Sequence, residues 1–118
     1  MKHNIGTEET AALAAESLAE RKAEDIVTMD LRGTAGGSMA DFFVLATGKS
    51  PPQLKAMSEE VEKCLKEKGQ RVYRRAGVAE GGWIVLDYVD VVVHVFSAEA
   101  RGYYAIEDLW QSNQESNK

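Results

Sequence analysis

With 118 residues, 44% of them hydrophobic and 28% charged, the chain has the size and composition of one globular domain, which excludes wholesale disorder, collagen-like repeats and a long coiled coil. A net charge of -5 argues against a surface devoted to wrapping phosphate backbones. One cysteine, Cys64, excludes an intramolecular disulfide and a cysteine metal cluster; the longest strongly apolar stretch, Val91 to Phe96, is far shorter than the roughly 20 residues that cross a bilayer.

The N-terminal segment carries Glu8, Glu9 and Glu16 and no continuous apolar run, so it is read as structure rather than as a targeting leader. Residues 8–24, rich in Ala, Glu and Leu, predict a helix capped by Thr7, with Ala11, Ala14, Ala15, Leu18 and Ala19 on its apolar line. Ile26 to Leu31 and Asp41 to Thr47 predict an antiparallel strand pair, joined by a glycine-rich, mobile connection.

Ser50, Pro51 and Gln53 form the strongest local signal: a serine cap, proline at the first helical position and glutamine at the third. The helix they open carries Leu54, Met57, Val61, Cys64 and Leu65 at three- and four-residue spacing and stops near Lys68, before Gly69. Cys64 is thus expected as a small buried hydrophobe. Arg71 to Arg75, Trp83 to Asp87 and Val91 to Phe96 predict three more strands, and Ser97 caps a last helix running to about Trp110. Residues 111–118 read as a frayed polar tail. The order αββαβββα over residues 1–118 predicts a single α/β (α+β) domain, a mixed five-stranded sheet flanked by helices.

Charge is uneven. Residues 49–75 hold eight basic and four acidic side chains, among them Lys63, Lys66, Lys68, Arg71, Arg74 and Arg75, whereas both flanks are acidic. This stretch keeps open an RNA-binding reading, beside the plainer one of a solvated helix face.

The segment Trp83 to Phe96 is the most informative. A two-residue loop at Tyr88 and Val89 would pair Trp83 with His94, Val85 with Val92 and Asp87 with Asp90. One face is then Trp83, Val85, Asp87, Asp90, Val92, His94 and Phe96; the other, Ile84, Leu86, Val91, Val93 and Val95, is aliphatic and belongs against helices. Two aromatics, two facing carboxylates and an imidazole together suit a docking surface, with a partner's cation lying between the aspartates. Taken singly, the aspartates are equally good turn formers and His94 a structural histidine. A homodimer through such an aromatic face is a further possibility.

Chemistry is sparse. No nucleophile elbow or metal set is visible, and the run Gly33 to Ser38 lacks the lysine of a phosphate-binding loop. Asp41 has Phe43, not a second carboxylate, two residues on, which disfavours metal-dependent nucleotidyl transfer. No catalytic residue, metal or cofactor is expected, with a divergent nucleotidyltransferase as the enzymatic alternative.

The blocks Ser38-Met39-Ala40-Asp41-Phe42-Phe43-Val44-Leu45-Ala46-Thr47-Gly48, Trp83 to Asp87, Asp90-Val91-Val92-Val93-His94-Val95-Phe96, and Tyr104 through Leu109-Trp110 together resemble the ribosomal silencing factor (RsfS, Iojap-like) family, over about Ala23 to Trp110. The resemblance implies a nucleotidyltransferase-like fold without catalysis. It also implies a cytoplasmic bacterial factor that binds ribosomal protein uL14 on the large subunit, blocks joining of the small subunit and represses translation when nutrients are scarce; any ribosomal RNA contact would be secondary. The implied docking block holds Trp83, Asp87, Tyr88, Asp90 and His94. The family usually has glycine where Val89 stands, and valine resists positive φ, so a loop wider than two residues stays open as an alternative to the tight turn; an even slip in register preserves the faces and an odd one exchanges them.

Overall fold

Residues 5–33 and 40–104 are described by the structure, a computed structural model. The first helix, α1 (Thr7–Glu20), has Gly6 rather than Thr7 at its N-cap and ends four residues short of the expected Glu24. Lys22 takes a left-handed φ of 62°, and the Ala23 N–H donates to the Leu18 carbonyl at 3.1 Å, a reversal that closes the helix and releases the chain into a strand. The buried stripe is Thr10, Ala11, Ala14, Ser17 and Leu18, rotated from the expected alanine line. The hydroxyls of Thr10 and Ser17 donate to the carbonyls of Gly6 and Leu13, so both side chains face inward with no orphaned polar group.

Five strands follow in a single mixed sheet: β1 (Glu24–Asp30), β2 (Phe42–Gly48), β3 (Arg74–Val78), β4 (Trp83–Asp87) and β5 (Val91–Ser97), in spatial order β1-β2-β5-β4-β3. All adjacent pairs are antiparallel except β2 and β5, which run parallel because the connection between them crosses over through helix α2 (Pro51–Glu67). The expected β1–β2 pairing is present. Strand β3 sits three residues later than predicted, since Gly77, which reads as a strand breaker, lies inside it; a Cβ there would collide with the Trp83 carbonyl, and its φ is 80°. A 3₁₀ turn, Ala79–Gly81, leads into β4.

Helix α2 is built as its sequence predicts. The Gln53 N–H donates to Ser50 Oγ at 3.3 Å, and at the far end the Gln70 N–H donates to the Leu65 carbonyl around a left-handed Gly69. The Gln53 side chain departs from the expected capping box. Its Oε1 accepts from the Lys49 N–H at 2.7 Å, while its Nε2 donates to the carbonyls of Arg21 and Lys22, each at 3.1 Å. One amide thereby ties the end of α1 to the start of α2. Gln53→Ala is expected to cost about 1 to 2 kcal/mol in chemical denaturation, more than the ~1 kcal/mol of Ser50→Ala. Equal costs would mean that the tie between the helices is idle.

Helices α1 and α2 cover one face of the sheet, enclosing Val44, Ala46, Ile84, Leu86, Val91, Val93 and Val95 with Leu54, Met57, Val61 and Leu65. Gly48 is required here, because a Cβ would come within 2.8 Å of Leu54 and 2.9 Å of Met57. Cys64 departs from its predicted burial. It lies half-buried beside the stripe, Ser58 taking the inward place, and its thiol donates to Glu60 at 3.4 Å. The last helix, α3 (Ala98–Tyr104), starts with the Ala100 N–H donating to Ser97 Oγ, the predicted cap, and lies on the opposite face. The expected extension to Trp110, the polar tail at 111–118 and most of the Gly33 to Ser38 connection lie outside the described residues.

Candidate docking face

The hairpin β4–β5 decides what the second face of the sheet presents. Trp83 pairs with Phe96, Val85 with His94 and Asp87 with Val92, so each β4 residue meets a partner two positions further along β5 than expected. The slip is even, and the predicted faces survive it. Its cause lies in the turn. Asp87 Oδ1 accepts from the Val89 N–H at 2.7 Å, and the Tyr88 N–H donates to the Val91 carbonyl at 2.8 Å, which places Val89 and Asp90 at the tip. Val89 there has φ 74°, a conformation costly for a β-branched residue, and the Asp90 N–H reaches back to the Tyr88 carbonyl.

Parallel pairing adds β2 to this face, setting Phe43 beside Val92, Leu45 beside His94 and Thr47 beside Phe96. Phe96 and Leu45 are fully buried with Met29 and Leu31, and Trp83 stacks on Phe96 at a centroid distance of 5.2 Å. Phe43, Trp83, Val85 and Val92 remain half-buried. They form an apolar strip across three strands, closed at the hairpin end by the Asp87 carboxylate, 3.6 Å from Arg74 across the β3–β4 ladder. Such a strip suits a protein partner: a desolvatable apolar centre with an aromatic anchor and a charged rim. Among the described residues no group of His, Cys, Asp and Glu could hold a metal ion, and no helix is long and apolar enough to cross a membrane.

The sequence profile of the family described as "Ribosomal silencing factor during starvation" matches residues 4–118. The chain belongs to the ribosomal silencing factor family. It is similar to the ribosomal silencing factor RsfS of Halalkalibacterium halodurans, 35% identical over 106 residues that make up 90% of this chain and 89% of the relative. It is also similar to that of Bacillus subtilis, 37% identical over 98 residues, 83% of this chain and 81% of the relative. A crystal structure of a protein from Chromobacterium violaceum superposes with a TM-score of 0.85 at 36% identity, covering 91% of this chain and 88% of that one.

Within this ribosomal silencing factor domain, the residues expected to dock together separate into two groups. Trp83 and Asp87 are half-buried on the strip, and Asp90 is exposed at the turn, where its carbonyl accepts from the N–H groups of Asp41 and Phe42 and so fixes the start of β2. Tyr88 and His94 face inward instead. Tyr88 sits on the aliphatic side in the core shared with α1 and α2; its hydroxyl is enclosed, with no hydrogen-bond partner among the described residues, and burial pushes the phenol above its ordinary range. The two carboxylates do not oppose each other, for the slip carries Asp87 across from Val92 and the cation beside Asp87 is the chain's own Arg74. The sequence reading missed the contribution of β2 to the strip. Its signal was the alternation Phe43, Leu45, Thr47, which says nothing of the parallel neighbour.

His94 is 7% exposed and acts as a pillar beneath the strip: Phe43 meets its ring edge-on at 5.0 Å, Phe96 lies parallel at 5.8 Å, and its Nδ1 accepts from Trp83 Nε1 at 3.3 Å. That bond assigns the ring proton to Nε2, which is enclosed. Burial lowers the imidazole pKa to about 4 from an ordinary 6.5. Between these values the unfolded chain binds more protons than the folded one, so stability is complete above about pH 6.5 and falls toward pH 4, by about 3 kcal/mol in all. Unfolding free energies measured at both ends of that window should show this fall. The His94→Phe variant should lack most of it, and an unchanged slope would place the titrating group elsewhere.

Proposed function

We propose that the chain represses translation by binding ribosomal protein uL14 on the large subunit through the Phe43, Val92, Val85 and Trp83 strip, and so prevents the small subunit from joining. The observation that supports this most is the strip itself, half-exposed in a chain of the ribosomal silencing factor family. Trp83 is the anchor, buttressed by His94 and Phe96, and Asp87 and Asp90 supply the acidic rim that meets basic groups of the partner. The role of His94 and Tyr88 is to hold the strip's strands rather than to touch the partner.

The mechanism is occlusion, with no catalysis and no cofactor. The molecule measures 40 × 39 × 21 Å, so even its thinnest dimension holds the two subunit faces apart where their bridges need direct contact. At free concentrations about a hundred times the dissociation constant, joining is disfavoured by roughly 2.7 kcal/mol through mass action alone. The same strip would support a weak homodimer, which then competes with ribosome binding, and the site of action is the bacterial cytoplasm. Co-sedimentation with isolated large subunits tests the reading: the chain should pellet with large and not small subunits, and free uL14 should compete. Equal recovery with both subunits, or no competition, would overturn it.

A further inference from the structure

The sheet ends in a strand with no buried face. All five residues of β3, Arg74–Val78, are exposed, and the two most exposed large apolar side chains of the described residues lie at its ends, Tyr73 just before it at 71% and Val78 as its last residue at 61%. A strand normally enters a sheet by burying at least one face. Among the described residues only β4 flanks β3, so the outer row of its backbone N–H and C=O groups has none of the described strands against it.

The opposite edge is built differently. In β1 the ladder breaks between Glu24 and Val27, Asp25 turns to φ 52°, and Arg101 Nη1 donates to the Asp25 carbonyl at 2.6 Å. Bulges and inserted charges of this kind blunt an edge. The register of β3 runs without a break from Arg74 opposite Asp87 to Val78 opposite Trp83. The open edge is also basic: residues 71–78 hold three arginines and no carboxylate in a chain of net charge -5.

We propose that β3 is an open docking edge that takes an extended acidic segment of a partner protein as a sixth strand. The arginines state its chemistry. Arg74 meets Asp87 on the strip side of the sheet, and Arg75 meets Glu62 of α2 on the other, so each guanidinium is already placed to hold a carboxylate beside the ladder. Neighbouring residues of an added strand point to opposite faces, and two adjacent acids would therefore reach both arginines. Apolar residues on either side of the acids would cover Tyr73 and Val78. The internal pairs are solvent-exposed on the arginine side, so exchanging them for a partner's carboxylates costs little. The edge meets the strip at the Arg74–Asp87 pair, and the inference does not depend on uL14 being the partner there.

The test is a titration of the full-length 15N-labelled chain with a short synthetic peptide that alternates valine and threonine around a central Glu-Glu pair. Amide shifts and slowed hydrogen exchange are expected over 73–78 and not along β1. Replacing Glu-Glu by Lys-Lys, or introducing Arg74→Glu with Arg75→Glu, should weaken binding about tenfold, and combining both changes should restore it. Both arginines are exposed, so the variant should keep the parent's circular dichroism. Unmoved β3 amides, equal binding of the lysine peptide, or a polyuridine oligomer engaging the arginines where the peptide does not, would overturn the inference.

Discussion

Phe96→Ala is expected to destabilise the protein by about 3 to 5 kcal/mol and to lower Tm by roughly 15 °C, a large share of the 5 to 15 kcal/mol that holds a domain of this size together. Phe96 is fully buried at the junction of β5 and α3, with Trp83 stacked on it and Leu45, Met29 and Leu31 around it. Removing the ring leaves a void against strands β1, β2, β4 and β5, whose backbones are fixed to one another by ladder hydrogen bonds, so the site cannot collapse to fill it. Phe96→Leu, which keeps most of the volume, should cost only about 1 kcal/mol. Thermal and denaturant unfolding measure both, and a loss below about 1 kcal/mol for the alanine variant would show that the second face carries no packed core.

The second large effect is on binding. Trp83→Ala should weaken association with the large subunit by at least about thirtyfold, the signature of an interface anchor worth 2 kcal/mol or more. Trp83 also stacks on Phe96 and bonds His94, so its removal alone could act through the fold. Val92→Glu separates the two. Val92 is half-buried on the same strip, and a carboxylate there should abolish binding, while its repulsion from Asp87 across the ladder should cost at most about 1 kcal/mol of stability. Asp87→Lys should act with the same sign, by setting a second cation beside Arg74 and removing the acceptor that holds the Val89 N–H. Isothermal titration with purified uL14 reads all three. Parent-like affinity in Val92→Glu would move the interface away from the strip.

The parts of the molecule set by local chemistry were readable from the sequence. Ser50, Pro51 and Gly69 delimit α2 because capping and a left-handed terminator are short-range, and the aliphatic face of β4 and β5 follows from a period of two that an even slip cannot disturb. What escaped depended on contacts between distant segments. The Gln53 amide could not be assigned to Arg21 and Lys22 before α1 and α2 were known to meet end to start. His94 reads as outward from alternation alone; it is buried because Phe43 arrives from β2 through a parallel pairing that no hairpin rule supplies. The apparent pair of facing aspartates dissolved for a local reason, since Asp87 uses its carboxylate to shape the turn that shifts the register. Membership in the ribosomal silencing factor family was legible from the ordered blocks around Asp41, Trp83 and His94, whereas the exposure of individual site residues was not.

Subunit joining itself is the most direct measurement: light scattering or sucrose-gradient sedimentation of purified large and small subunits mixed with the chain. Excess protein is expected to leave the subunits separate, free uL14 to relieve the block, and the Val92→Glu variant to allow joining. Assembled ribosomes forming undiminished in the presence of saturating parent protein would contradict occlusion.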